Sequence, residues 1–279
     1  DRCAVLPGAF AAGRGHYAAL FDGHNGDRAA RIASEHMHTI VARALAAAPR
    51  GGEPEALVQS FGAMNAILKA EADALHAAGE AKGDWSESTV GGTTAVVCAL
   101  SPGELHVASV GDSRAVLGRE AGSRAVRITT DHKPKLPAEE ERILNAGGFV
   151  TRGRVHGILS VSRSLGDFEF APFVLGEPQV VSLRTRPDDL VLVVASDGVW
   201  DVVTDNGAVA LALAARDAAG GDPAAACGAL VDEALSRGSR DNVSAVVVFW
   251  DSAGGLQSAG AASPRGEAQA RGSRRGASG

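Results

Sequence analysis

The chain has 279 residues, of which 45% are hydrophobic and 22% charged, with a formal net charge of −6. That length supports one large core or two modest ones, and a mildly acidic balance argues against nucleic acid as the main partner, because phosphate backbones are held by clustered Lys and Arg. No apolar run is long enough to span a bilayer, so no membrane partner is expected. Cys3, Cys98 and Cys227 have neither disulfide nor metal-site spacing, which suits a reducing compartment. Cys98 lies in an apolar run and reads as a buried, inert thiol.

In chain order, Tyr17–Phe21 is the first expected strand. Helices follow over Asp27–Ala48, with Ile32, His36, Ile40 and Val41 at helical spacing, and over Glu55–Ala78, with Leu57, Phe61, Met64, Ile67, Leu68 and Leu75 in the same rhythm. Thr94–Leu100, Leu105–Val110 and Ala115–Leu117 read as strands, the last two joined as a hairpin at Gly111-Asp112-Ser113. Ala138–Asn145 is a short helix stopped by Gly147-Gly148. Leu190–Ala195 and Val243–Trp250 are strands, with helices between them over Asn206–Ala215 and Pro223–Ser236, the latter capped by Asp222.

The strand runs are continuously apolar, which suggests cover on both faces. Hairpin-like strand pairs and long helix pairs favour packed sheets with helices outside over an alternating βαβ fold. After Trp250 the composition turns to Gly, Ala, Ser and Arg, so a single domain over 1–251 followed by a disordered tail over 252–279 is expected. Arg271, Arg274 and Arg275 in that tail read as solvated more readily than as a docking patch. The chain starts at Asp1 and enters an apolar segment almost at once, which reads as an N-terminally truncated fragment.

The informative pattern is where aspartates fall. Asp22 ends one strand, Asp112 another and Asp197 a third, while Asp241 immediately precedes the last. A single strand-end Asp is usually a turn former. Four in one domain make a metal cluster worth considering, because gathered carboxylates repel one another unless a divalent cation sits among them. All-oxygen ligands point to Mg²⁺ or Mn²⁺ in preference to Zn²⁺ or Cu²⁺.

These residues carry a resemblance. The chain resembles the PPM/PP2C class of metal-dependent protein phosphatases, through Phe21-Asp22-Gly23-His24, Gly91-Gly92-Thr93-Thr94-Ala95 and Val110-Gly111-Asp112-Ser113-Arg114. It continues through Thr130-Asp131-His132-Lys133-Pro134, the helix around Arg142-Ile143 ending at Ala146-Gly147-Gly148, and Leu159 to Asp167. Ala195-Ser196-Asp197-Gly198-Val199-Trp200-Asp201 and Ser239-Arg240-Asp241-Asn242-Val243-Ser244 complete it, in the family's order.

The resemblance implies an α+β fold, a four-layer αββα sandwich with two central, mostly antiparallel sheets. It implies hydrolysis of phosphoserine and phosphothreonine by a water readied by two Mg²⁺ or Mn²⁺ ions, with a weaker third. Asp22 would bridge the pair, the Gly23 carbonyl would bind one ion, and Asp197 and Asp241 would complete the centre. Asp112 would hold the third ion with Asp197, and Asp201 would assist. Asp1 would be the last residue of the family's Arg-x-x-Met-Glu-Asp motif and act through water; the Arg and Glu of that motif are not in this sequence. His24 would protonate the leaving alkoxide, a task its near-neutral pKa suits.

Arg163 and Asp167 would organise the region beside the site, 168–181 would form a flap, and His132 is expected in a structural turn. Asn25, His156 and Ser164 depart mildly from the family's pattern. The expected partners are phosphoprotein substrates, the expected state a monomer, and the expected location the cytoplasm or nucleus, with organelle targeting left open. The alternatives are a catalytically impaired relative that binds phosphoproteins as a scaffold, and, more remotely, an N-terminal-nucleophile hydrolase, which Asp1 does not suit.

Overall fold

The apolar runs of the sequence become strands of two five-stranded antiparallel sheets packed face to face. The computed structural model describes residues 1–10, 15–78, 90–119, 124–250 and 256–262, with backbone only at 256–258. The chain opens with β1 (Arg2–Phe10), β2 (Gly15–Phe21) and β3 (Gly23–His24), followed by helices α1 (Arg28–Ala47) and α2 (Glu53–Ala77). Then come β4 (Gly92–Thr93), β5 (Ala95–Ser101), β6 (Glu104–Val110), β7 (Arg114–Arg119) and β8 (Arg124–Arg127). Next are α3 (Pro137–Asn145), β9 (Val150–Thr151), β10 (Arg154–Val155), β11 (Leu165–Gly166), β12 (Gln179–Arg184) and β13 (Asp189–Ala195). The chain closes with α4 (Asp197–Trp200), α5 (Asp205–Ala218), α6 (Pro223–Ser236), β14 (Ala245–Trp250) and β15 (Leu256–Ala262).

One sheet runs β1-β2-β5-β6-β12 and the other β15-β14-β13-β7-β8. Three apolar layers hold them. Tyr17, Ala19, Phe21, Val97 and Ala108 on the first sheet meet Met37 and Val41 of α1 and Phe61, Met64 and Leu68 of α2. Leu20, Val96, Cys98 and Val107 meet Leu117, Leu192, Val194, Val246 and Val248 between the sheets. Val191, Val193, Val247 and Phe249 meet α5 and α6 through Val209, Leu213, Leu230 and Val231. The order is therefore α, β, β, α: an α+β, four-layer sandwich.

The continuous apolar reading has its cause here, since both faces of the central strands are covered. On α1, the buried positions Ala29, Ile32, Ala33, Met37 and Val41 follow helical spacing. At α6, the Asp222 carboxylate accepts from the Ala224 N–H at 2.9 Å and Pro223 occupies the first turn, as read from sequence. Cys98 is fully buried, and burial pushes its thiol up to about 12.

Three expectations are corrected. The run Leu105–Leu117 is not a hairpin, because β6 and β7 lie in different sheets. Gly111, at φ +87°, lets the chain cross between them while packing on Thr94. The segment 252–279 is not disordered throughout: Leu256–Ala262 adds an edge strand to β14, with Val247 opposite Gly260. Small residues sufficed there, because edge pairing needs backbone hydrogen bonds more than side-chain bulk. Residues 263–279, with Arg271, Arg274 and Arg275, lie outside the described residues. Of the stretch 168–181 expected to form a flap, the last three residues belong instead to β12, which starts at Gln179 and pairs along β6.

Candidate active site

The register of the strands brings the ends that carry Asp1, Asp22, Asp112, Asp197 and Asp241 to one end of the paired sheets. Asp22 leaves β2 at the point where its carbonyl accepts from the Thr94 N–H (2.9 Å) and its N–H meets Thr94 Oγ1 (3.3 Å). Thr94 Oγ1 lies 2.7 Å from Ser113 Oγ, which ties the end of β2 to the turn carrying Asp112. Asp197 opens α4 directly after β13. The Ser196 N–H donates to the Ser244 carbonyl (3.1 Å), and the Ser239 hydroxyl donates to the Gly198 carbonyl (2.7 Å), which brings the turn carrying Asp241 alongside. On the other edge, Arg2 pairs with Phe21, so Asp1 comes beside Asp22.

The gathered charges act on Asp22 and Asp197. Burial pushes the Asp22 carboxyl up to about 7, with Asp197, Asp112 and Asp241 adding to the rise. Burial pushes Asp197 up to about 6, with Asp112, Asp241 and Asp201 adding and Lys133 opposing. Lys133 Nζ contacts Asp112 Oδ2 and lies 3.8 Å from Asp197 Oδ2. Among the described residues, no three His, Cys, Asp or Glu side chains stand in a ready metal-holding arrangement. The carboxylates are neighbours without forming a ligand shell.

Two observations nonetheless fit a hard cation. Both Asp1 carboxylate oxygens are buried without a hydrogen-bond partner. Asp112 already draws one cation, the Lys133 ammonium, which lies 3.8 Å from Asp197 Oδ2. The donor set is all oxygen, as Mg²⁺ and Mn²⁺ prefer.

His24 borders this cluster. Its Nε2 lies 2.6 Å from Asp167 Oδ2, which also accepts from the Ser164 hydroxyl at 2.5 Å. The Asp167 side chain is fully buried. A small sheet, β11-β4-β3, sets this geometry by pairing His24 with Gly92 and Gly92 with Gly166. A Cβ on Gly92 would collide with both the His24 ring and the Asp167 carboxylate, so only glycine fits. Burial alone would lower the His24 pKa; the bond and charge of Asp167, with Asp112 adding, outweigh it and raise the pKa.

Of the residues set aside from catalysis, His132 is buried and bonded to Gly111, and its pKa is lowered to about 4 by burial, with Arg163 adding. Arg163 donates to Glu139 at 2.5 Å, and Arg142 holds the other Glu139 oxygen at 2.9 Å. Burial would raise the Glu139 pKa, but these bonds outweigh it and hold it down at about 2, against an ordinary 4.5. A depressed carboxylate pKa stabilises the fold above the ordinary value, and that stability is lost as the pH falls toward 2. Glu139→Gln should therefore cost about 2 to 3 kcal/mol at pH 7 in urea unfolding, and the gap to wild type should narrow below pH 4.

Asn25 takes the left-handed conformation, at φ +55°, which Asn tolerates better than most residues. His156 stacks on Phe149 with centroids 4.6 Å apart. Sequence reading missed the contacts of Lys133 and Ser164. The signal was available for Lys133, as a cation inside an otherwise structural turn motif.

The profile of the protein phosphatase 2C family matches residues 8–243. The chain is 41% identical over 251 residues to "Probable protein phosphatase 2C 8" of Oryza sativa subsp. japonica, covering 82% of this chain and 61% of that protein. It is 41% identical over 244 residues to "Probable protein phosphatase 1N" of Homo sapiens, covering 84% of this chain and 54% of that protein. A solved structure described as that of a C. elegans sex determining protein superposes with a TM-score of 0.76 at 26% identity, over 89% of this chain and 60% of that one. The chain belongs to the protein phosphatase 2C family, and it spans between half and two thirds of the length of those two relatives. Among the described residues no helix is long and apolar enough to cross a membrane.

Proposed function

We propose that this chain is the catalytic domain of a metal-dependent protein phosphatase that hydrolyses phosphoserine and phosphothreonine in protein substrates. One observation carries the reading: Asp112, Asp197 and Asp241, far apart in sequence from Asp22, lie close enough for their charges to act on it, beside a histidine held by a buried carboxylate.

Asp22, the Gly23 carbonyl, Asp197 and Asp241 would hold a pair of Mg²⁺ or Mn²⁺ ions, Asp112 with Asp197 and Asp201 a third, and Asp1 would act through water. Such ions, when bound, neutralise the carboxylates, lower the pKa of water and polarise phosphoryl oxygens. Asp167 takes Nε2 of His24, which leaves Nδ1 as the ring nitrogen to face substrate. A proton given from there to the Ser or Thr oxygen lets the alkoxide leave as an alcohol. Ser164 and Gly92 keep the Asp167 carboxylate and the imidazole in register.

The test is phosphate release from phosphoserine and phosphothreonine peptides. Release should need Mn²⁺ or Mg²⁺, stop in EDTA and return when metal is restored. No release from protein shown by circular dichroism to be folded, with metal in excess, would remove the reading and favour a phosphoprotein-binding scaffold.

A further inference from the structure

Lys133 reaches the carboxylate cluster from a loop that the main chain fixes firmly. The His132 N–H donates to the Gly111 carbonyl (2.8 Å), the Lys133 N–H to the Asp131 carbonyl (2.8 Å), and the Leu136 N–H to the Lys133 carbonyl (3.0 Å). From this anchor the ammonium contacts Asp112 Oδ2, with Asp197 Oδ2 at 3.8 Å. Asp201 adds to the field on both Lys133 and Asp197. These three carboxylates are the ones assigned above to the weaker third ion. The lysine side chain remains 31% exposed, so its flexible stem has solvent to move into.

An ammonium and a divalent ion cannot both sit against Asp112 Oδ2, since like charges in contact repel and each needs the same lone pairs. We propose that Lys133 is an internal counter-cation of the site: its ammonium occupies the place of the third ion between Asp112 and Asp197 and has to swing out before that ion binds. The inference rests on the metal reading of the site and adds a regulatory consequence. The third position fills only when divalent ion is abundant, while the empty cluster stays folded because one of its carboxylate charges is already offset.

Two measurements on Lys133→Gln test this, with the exposed Lys135→Gln as control. The first is Mn²⁺ binding followed by the electron paramagnetic resonance of free Mn²⁺. Wild type should show a tight pair of sites and a weaker one. In Lys133→Gln the weak site should tighten by about tenfold or more, the effect of removing one cation at contact distance even under strong screening, while the tight pair stays put. The second is thermal melting. In EDTA the variant should melt below wild type, and in saturating Mn²⁺ the difference should close or reverse. A variant that folds only with Mn²⁺ is the same result in stronger form. Lys133→Arg, which keeps the charge, should stay near wild type in both.

Filled tight sites with an unmoved weak site and an unchanged melting difference overturn the inference alone. A wild-type protein that takes up no Mn²⁺ overturns the metal reading and the inference with it.

Discussion

Asp22→Ala should lower phosphate release from p-nitrophenyl phosphate in saturating Mn²⁺ by about a thousandfold or more, while far-ultraviolet circular dichroism stays that of wild type. Asp22 is the carboxylate on which the fields of Asp197, Asp112 and Asp241 converge, and burial with those neighbours lifts it to about 7. A group in that position is costly to keep ionised without a cation. The same substitution should therefore make the metal-free protein more stable in EDTA, because one member of a mutually repelling set is gone. Opposite signs for activity and metal-free stability separate a ligand from a scaffold residue. Loss of both would assign Asp22 to folding, and full turnover would end the metal assignment.

How much of this was legible in the sequence follows from which signals are local. Strands covered on both faces are written as apolar runs, so β2, β5, β6, β13 and β14 could be read directly. Edge strands are not. β12 carries Ser182 and Arg184, and most of β15 is Ser, Ala and Gly; their pairing comes from backbone bonds to β6 and β14. Whether β6 and β7 form a hairpin or part into two sheets also leaves no trace in Gly111-Asp112-Ser113, since either path needs a turn there. The strand-end aspartates were visible as a pattern, and the family resemblance gave them roles. Their meeting depends on bonds such as Thr94 to Ser113 and Ser196 to Ser244 that join distant turns. Lys133 and Ser164 were overlooked for the same reason, because what matters is the partner each reaches across the fold.

His24→Ala should separate substrates by their leaving groups. Phosphoserine and phosphothreonine peptides leave as alkoxides and need a proton, so their kcat should fall by about a hundredfold to a thousandfold, the usual range for a lost general acid. p-Nitrophenyl phosphate releases a stabilised phenolate, and its kcat should change far less. Asp167→Asn should show the same selectivity in milder form. Its amide keeps the shape that Gly92 and Ser164 surround but carries no charge to hold the imidazolium at Nε2. The raised His24 pKa depends on that charge, so loss of Asp167 leaves less of the ring protonated at neutral pH. Steady-state kinetics on a phosphothreonine peptide and on p-nitrophenyl phosphate, run side by side for both variants, decide the matter. Equal losses on the two substrates would take His24 out of the acid role and leave Asp167 as a packing residue of the small sheet.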